Sequence, residues 1–355
     1  MNKVDPKKFS KAKTDMAGEI LSDKNTSDLK KLEAVEVLDN WRAAHSYPMH
    51  IFKKRLKSVS EKIDKNALSV QRLKRVPSIL KKLTREYDGK KATMKLTQMQ
   101  DIAGCRVVMS NIELANKIYY EEYIKSDIKH QKVNEKNYIL NPKIDGYRGI
   151  HLIYKYVSDK EGKKDFNGLL IEVQIRSKLQ HIWATAVETV DFFTKQAIKS
   201  NEGEKDWMEF FKLMSSAFAI MEKTTLIHGT PTNEKELYLK IKELETKLHV
   251  ITKMKHWRES IRQFDNLKNE INSEFFLLEL DTLQEKLNIT SYPKRKEKEA
   301  IQDYANAEKK AFNIESYDVV LVGADTTADL KKAYPNYFVD TKEFIDILQK
   351  ILIKY

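Results

Sequence analysis

Within Leu169–Arg176 the chain alternates from Ile171 onward, with Ile171, Val173 and Ile175 apolar and Glu172, Gln174 and Arg176 polar. A period of two is the pattern of a half-buried strand and does not suit a helix. Two further segments read as strands, the apolar run Cys105–Met109 and the alternating His151–Tyr156, which the turn dipeptide Asp145-Gly146 introduces. Helical spacing marks Leu114–Tyr123, Leu179–Lys199 and Trp207–Lys223. This mixture predicts an α/β (α+β) fold, a mixed sheet flanked by helices.

The segment before these strands, about Leu29 to Tyr87, reads as helices. Leu32, Val35, Leu38 and Trp41 recur every three residues, and Tyr47-Pro48 predicts a break. Arg72–Leu83 is read as one further helix, followed by an Asp88-Gly89 turn. Gly229-Thr230-Pro231 predicts a linker, which divides the chain into residues 1–228 and a smaller, mainly helical α/β region, 229–355. In the second region Leu237, Ile241, Leu244, Leu248 and Ile251 predict one long amphipathic helix. Strands are expected at Phe275–Leu280 and Tyr317–Val322, around the charged stretch Lys294–Glu299, with a terminal helix at Thr341–Ile353.

A hydrophobic fraction of 41% and a charged fraction of 33% favour a globular protein over disorder. No apolar run approaches bilayer length, and Met1–Ser10 has no apolar signal core, so the expectation is a cytoplasmic protein without a membrane partner. The single cysteine, Cys105, cannot form an internal disulfide, and no Cys/His cluster has zinc spacing. The net charge of +12 is concentrated: between Lys53 and Lys95 fifteen Lys/Arg face four Asp/Glu. Such runs are often solvated faces, but this one also suits polyphosphate or nucleic acid.

Four clusters carry chemistry. In the first, Arg72-Leu-Lys74-Arg75-Val-Pro-Ser78-Ile-Leu-Lys81-Lys82, helical spacing would gather several donors as a polyphosphate requires. The second, Gln100-Asp101-Ile-Ala-Gly104-Cys-Arg106, puts an acid before a strand and an arginine inside it. Asn141-Pro-Lys143-Ile-Asp-Gly146-Tyr147-Arg148-Gly149-Ile-His151 is a glycine-bearing loop with an aromatic ring. The fourth, Glu172-Val-Gln174-Ile-Arg176, lines one strand face. Taken alone, each cluster has an ordinary structural explanation; the four in order point to magnesium-dependent transfer from a nucleoside triphosphate.

In that order, the clusters resemble the signature series of the RelA/SpoT synthetase domain, with similarity extending from about Leu29 to about Lys223 and including Asn40–Pro48 and Trp183–Glu188. The resemblance implies a nucleotidyltransferase-like fold and transfer of pyrophosphate from ATP to a ribose 3′-hydroxyl. It implies that Arg72, Lys74, Ser78 and Lys82 hold the ATP phosphates, with Arg72 and Arg106 flanking the adenine. Asp101 and Glu172 would bind Mg2+, Glu172 also serving as base. Tyr147 would stack on the acceptor base, with Lys143, Arg148 and His151 around its phosphates and sugar. Two departures fall on the acceptor side: Gly149 where a serine is common, and Glu188-Thr189 where an acid–histidine pair is common. No His-Asp dipeptide occurs, so the hydrolase domain of the long bifunctional enzymes is not expected.

The segment Tyr317–Asp340 is similar to the C-terminal antitoxin domain of fused toxic small alarmone synthetases of the CapRel type. That resemblance implies that Tyr334 and Tyr337 plug the adenine site, and that a phage structural protein is the trigger that frees it. The resulting expectation is a toxin–antitoxin fusion that modifies the 3′-CCA end of tRNA and blocks translation, the basic segment suiting an RNA acceptor. Its alternative is a (p)ppGpp synthetase using GDP or GTP. A third reading, a catalytically dead RNA-binding module, fits poorly with retention of both Asp101 and Glu172.

Overall fold

The structure is a computed structural model that describes residues 7–23, 25–87, 90–91, 93–194, 204–262, 273–281, 284, 286–311, 314, 317–323 and 341–355. The Asp88-Gly89 turn, the 195–199 end of the expected helix, and Tyr334 and Tyr337 lie outside these residues.

Helix α1 (Lys11–Ser22) leads into α2 (Asp28–Ile63), which runs through Pro48 without the expected break. An interior proline costs about 3 kcal/mol. Here Leu38, Trp41, Ala44, Met49, Phe52 and Leu56 of the same helix are buried, and that packing outweighs the lost hydrogen bond. The expected helix from Arg72 is also corrected. Arg72 lies in a strand, β1 (Leu68–Leu73), and α3 begins only at Val76 and runs to Leu83. Pro77 suits the division, because a proline costs nothing in the first turn of a helix, whereas inside one extending back to residue 72 it would lose a hydrogen bond and clash with the preceding turn.

The hairpin strands β2 (Glu86–Tyr87) and β3 (Lys90–Lys91) precede β4 (Ala103–Met109), α4 (Ile112–Tyr119) and β5 (Gln131–Asn137). Strands β6 (Ile150–Lys155) and β7 (Leu170–Ser177) follow, then α5 (Lys178–Thr194) and α6 (Lys205–Glu222). The expected long helix is two, α7 (Glu234–Leu248) and α8 (Val250–Arg262), because His249 between them takes the left-handed conformation at φ 53°. Strands β8 (Ser273–Asp281) and β9 (Lys286–Pro293), helix α9 (Glu297–Ala311), strand β10 (Tyr317–Gly323) and a terminal helix, Lys342–Leu352, complete the described chain.

Eight strands form one sheet in the order β5-β6-β7-β4-β1-β10-β8-β9. Among the described strand pairs of this sheet, only β4 and β7 are parallel. The strands beyond Gly229 therefore extend the same sheet, joining it where Arg72 pairs with Val322 and Gln71 with Gly323. On one face Cys105, Val107, Ile171, Val173 and Ile175 pack against α2, α3 and α4. On the other side of the protein α5, α6, α7 and the terminal helix share a second core, in which Phe344 lies 6.0 Å from Phe211 and 6.1 Å from Phe218. The C-terminal strands are apolar on both faces: Phe276, Leu278 and Val320 join Val70, whereas Phe275, Leu277 and Val319 lie under α9. No described helix is long and apolar enough to cross a membrane.

Candidate active site

Strand register assembles the site. Across the sheet Arg72 pairs with Gly104, which pairs with Glu172; one step along, Arg106 pairs with Gln174, which pairs with His151. Cross-strand partners share a face, so segments far apart in sequence present one polar floor. Gly104 leaves that floor open: a Cβ there would stand 3.8 Å from Glu172 Oε2. Above it lies a cleft of roughly 430 Å3, lined by nine Lys/Arg side chains (Arg72, Lys74, Arg75, Lys81, Lys82, Arg85, Arg106, Lys143 and Arg176) and four carboxylates (Asp101, Asp145, Glu172 and Glu188). The cationic excess makes it a site for an anion carrying several charges.

One wall is the β1–α3 joint. Lys74 leaves the end of β1 and Lys82 the last turn of α3, and their ammonium groups meet the two oxygens of Asp101, each at 2.9 Å. Burial alone would raise the Asp101 pKa, but the two lysines outweigh it and hold the carboxyl at about 2. Lys74 is itself lowered, because its burial costs more than a carboxylate shared with Lys82 returns. These are two ends of one interaction: Asp101 has two cations, and each cation has half an anion. Ser78 and Arg75 line the same wall.

The opposite wall is a chain of hydrogen bonds. Glu172 Oε1 lies 2.8 Å from His151 Nδ1, and Glu172 Oε2 accepts from Gln174 Nε2 at 2.7 Å. Burial pushes Glu172 up, but those bonds outweigh it and leave its pKa below the ordinary value. His151 Nε2 meets the Tyr147 hydroxyl, which also accepts from Arg176 Nη2 at 2.8 Å. Burial disfavours the imidazolium, yet Tyr147 and Glu172 overcome it and raise the His151 pKa. The Tyr147 ring is buried, with Arg176 5.0 Å and Lys143 5.2 Å from its centroid.

The acceptor loop depends on its glycines. Gly146 has φ +99°, and a Cβ there would come within 2.6 Å of Trp183. Gly149 has φ +145°, with Arg176 Cγ 3.3 Å and the Tyr147 hydroxyl 3.4 Å from where a Cβ would sit. A side chain at 149 would be strained there, so the glycine lets Tyr147 and Arg176 close over the loop.

The structure thus brings Arg72, Lys74, Ser78, Lys82, Asp101, Arg106, Lys143, Tyr147, His151 and Glu172 to one cleft. Arg148 is placed elsewhere. It is buried behind the loop, its Nε donating to Ser215 Oγ at 2.9 Å, and it is not among the cleft-lining residues. Burial lowers its pKa to about 10, against the pull of Glu222. Sequence reasoning gave Gln174 and Arg176 no individual role, although their alternation already placed them beside Glu172. It read Asp145 only as a turn residue, and Asp145 Oδ1 does accept from Tyr147 N at 2.9 Å. Among the described residues no group of three or more His, Cys, Asp or Glu could hold a metal by itself.

Part of the chain is similar to known proteins. GTP pyrophosphokinase YjbM of Bacillus subtilis (strain 168) is 27% identical over 159 residues, 44% of this chain and 70% of that protein. Among solved structures, small alarmone synthetase 1 from Bacillus subtilis bound to its product pppGpp is 22% identical with a TM-score of 0.42, covering 50% of this chain and 88% of that one. Small alarmone synthetase 2 from Bacillus subtilis is 21% identical with a TM-score of 0.42, covering 52% and 94%. The model of the region found in RelA / SpoT proteins matches residues 71–195, which hold all the cleft residues named above. Over residues 71–195 the chain is therefore similar to the region found in RelA / SpoT proteins.

Proposed function

We propose that this protein is an ATP-dependent pyrophosphokinase that transfers pyrophosphate from ATP to a ribose 3′-hydroxyl. The observation that carries the reading is the facing of two walls across one cleft, the lysine-clasped Asp101 on one and the His151-bound Glu172 on the other. Lys74, Ser78 and Lys82 offer charge-assisted donors to the triphosphate, and Arg72 and Arg106 offer guanidinium planes to the adenine. Glu172, an anion next to His151, takes the hydroxyl proton. The 3′-oxygen then bonds to the β-phosphorus, the bond from that phosphorus to the α-phosphate oxygen breaks, and AMP leaves with the electron pair. Asp101 and Glu172 are hard oxygen donors, and with phosphate oxygens they suit Mg2+, which would offset charge on the transferring group. A polyphosphate that draws Lys74 and Lys82 off Asp101 frees its oxygens for that ion.

For the acceptor, we propose GDP or GTP in the loop formed by Lys143, Tyr147 and His151. The Bacillus subtilis relative, whose name specifies a GTP pyrophosphokinase, supports this. The 3′-CCA end of tRNA is the second reading, favoured by Lys81 and Arg85, which extend the cationic wall beyond the residues a triphosphate needs. Self-inhibition by Tyr334 and Tyr337, with release by a phage protein and a role in defence, rests on the C-terminal resemblance. The pairing of Gly323 with Gln71, which brings the C-terminal strands against the site strand, supports it. Incubation with labelled ATP and GDP, GTP or deacylated tRNA tests the acceptor. Label on tRNA alone, lost with Lys81→Ala and Arg85→Ala and with rising salt, would overturn the guanine-nucleotide reading.

A further inference from the structure

Helix α3 has an N-terminus that its own sequence does not cap. The residue before it, Arg75, makes no side-chain capping bond, and Pro77 has no N–H to offer. The first N–H, of Val76, is instead met by a carboxylate from far along the chain: it donates to Glu308 Oε1 of α9 at 2.9 Å. The same carboxylate accepts from Tyr304 at 2.7 Å and pairs with Arg42 of α2 at 2.8 Å, with all three side chains buried. Arg42 in turn donates from Nε to the carbonyl of Lys74 at 3.1 Å, while Lys74 N donates to Ile102 O at 2.8 Å. The joint between β1 and α3 is thus fixed on both sides of Arg75. Lys74, Arg75, Ser78 and Lys82, which form the cationic wall of the cleft, all project from that joint or from the helix it starts.

We propose that Glu308 is a positioning residue for the triphosphate wall, so that α9, from the C-terminal region, completes the ATP side of the site. The inference rests on the reading of this cleft as an ATP site. It follows from leverage: a buried carboxylate that caps a two-turn helix sets the helix's start, and a shift there is carried to Ser78 and Lys82. Glu308 touches no cleft residue's side chain among the bonds described, so its effect is transmitted through Val76 N and Arg42.

The test measures binding of α,β-methylene-ATP to the full chain by calorimetry, together with separate KM values for ATP and acceptor, and thermal melting. Glu308→Gln keeps an acceptor for Val76 N but loses the charge that holds Arg42. It is expected to weaken the analogue by about tenfold, with the acceptor KM changed by less than about twofold. Because a buried arginine left with only Asp39, at 3.5 Å, as its anion can destabilise the protein, a second variant removes both charges: Arg42→Met with Glu308→Leu restores packing without restoring the cap. It is expected to melt near the wild type and still bind the analogue weakly. Should neither fold, Tyr304→Phe removes a single bond to Glu308 and is expected to raise the analogue Kd by about threefold. Wild-type affinity in a folded variant overturns the inference, as does an equal loss for both substrates. If the wild type itself fails to bind the analogue, the ATP reading falls and takes the inference with it.

Discussion

Lys82 in the last turn of α3 and Asp101 at the entry to β4 face each other at 2.9 Å, and the pair ties the basic helix to the sheet that carries Glu172. Lys74 occupies the other oxygen of the same carboxylate. Asp101→Asn keeps the volume and removes the charge. Pyrophosphate transfer is expected to fall by about 10²–10³-fold, with an unchanged far-UV spectrum, because the lost group acts on developing charge rather than on packing. Full activity in this variant would remove Asp101 from the site.

Glu172 and His151 give a prediction that needs no turnover. Glu172→Gln replaces an anion with a neutral amide 2.8 Å from the imidazole. The sign follows from the raised His151 pKa: the Glu172 anion favours the imidazolium, so its removal should move the titration downward, toward the ordinary 6.5. NMR of the His151 ring reads this directly, and an unmoved titration would show that the pair is not coupled as described. Transfer should fall alongside.

His45 supplies the pH dependence of stability. Its ring is buried in α2, with Nδ1 2.7 Å from Trp41 O, and burial holds its pKa at about 4. The folded value is lower than the unfolded value of about 6.5, so the unfolded chain binds the extra proton. Stability from this group is therefore present above pH 6.5 and declines as pH falls toward 4, by about 1.4 kcal/mol per unit at most. His45→Asn, which keeps a donor for Trp41 O, should flatten the melting temperature against pH in that window. An identical slope in both proteins would assign the acid sensitivity to other groups.

The proposed self-inhibition predicts a gain. Replacing both Tyr334 and Tyr337 with alanine should raise transfer by about tenfold or more, since each ring stacked on an arginine plane is worth about 1–2 kcal/mol. Lower yield and unchanged specific activity would instead mark the two rings as packing residues.

Much of this architecture was legible because the chemistry and the periodicity coincide. In β7 the alternation that hides Ile171, Val173 and Ile175 necessarily presents Glu172, Gln174 and Arg176 together. What was not legible has physical reasons. Strand β5 is a polar edge strand with exposed residues, so it carries no hydrophobic signal. The end of strand β1 reads as helix because Leu73, Val76, Leu80 and Leu83 share helical spacing across the Pro77 boundary. The bond from Val76 N to Glu308 spans 232 residues, and nothing local in either segment announces it. Arg148 follows Tyr147 in the loop before β6, yet its side chain goes to Ser215, and no periodic pattern in the loop sequence says which of the two faces the cleft.

In the proposed transfer two phosphates move together. The most direct measurement follows the nucleotide products when the full chain is incubated with magnesium, an acceptor and ATP labelled in either the α- or the γ-phosphate. AMP carrying all the α-label is expected, formed one for one with an acceptor that carries the γ-label. Formation of ADP, with only the terminal phosphate transferred, would contradict it, as would no transfer to GDP, GTP or tRNA.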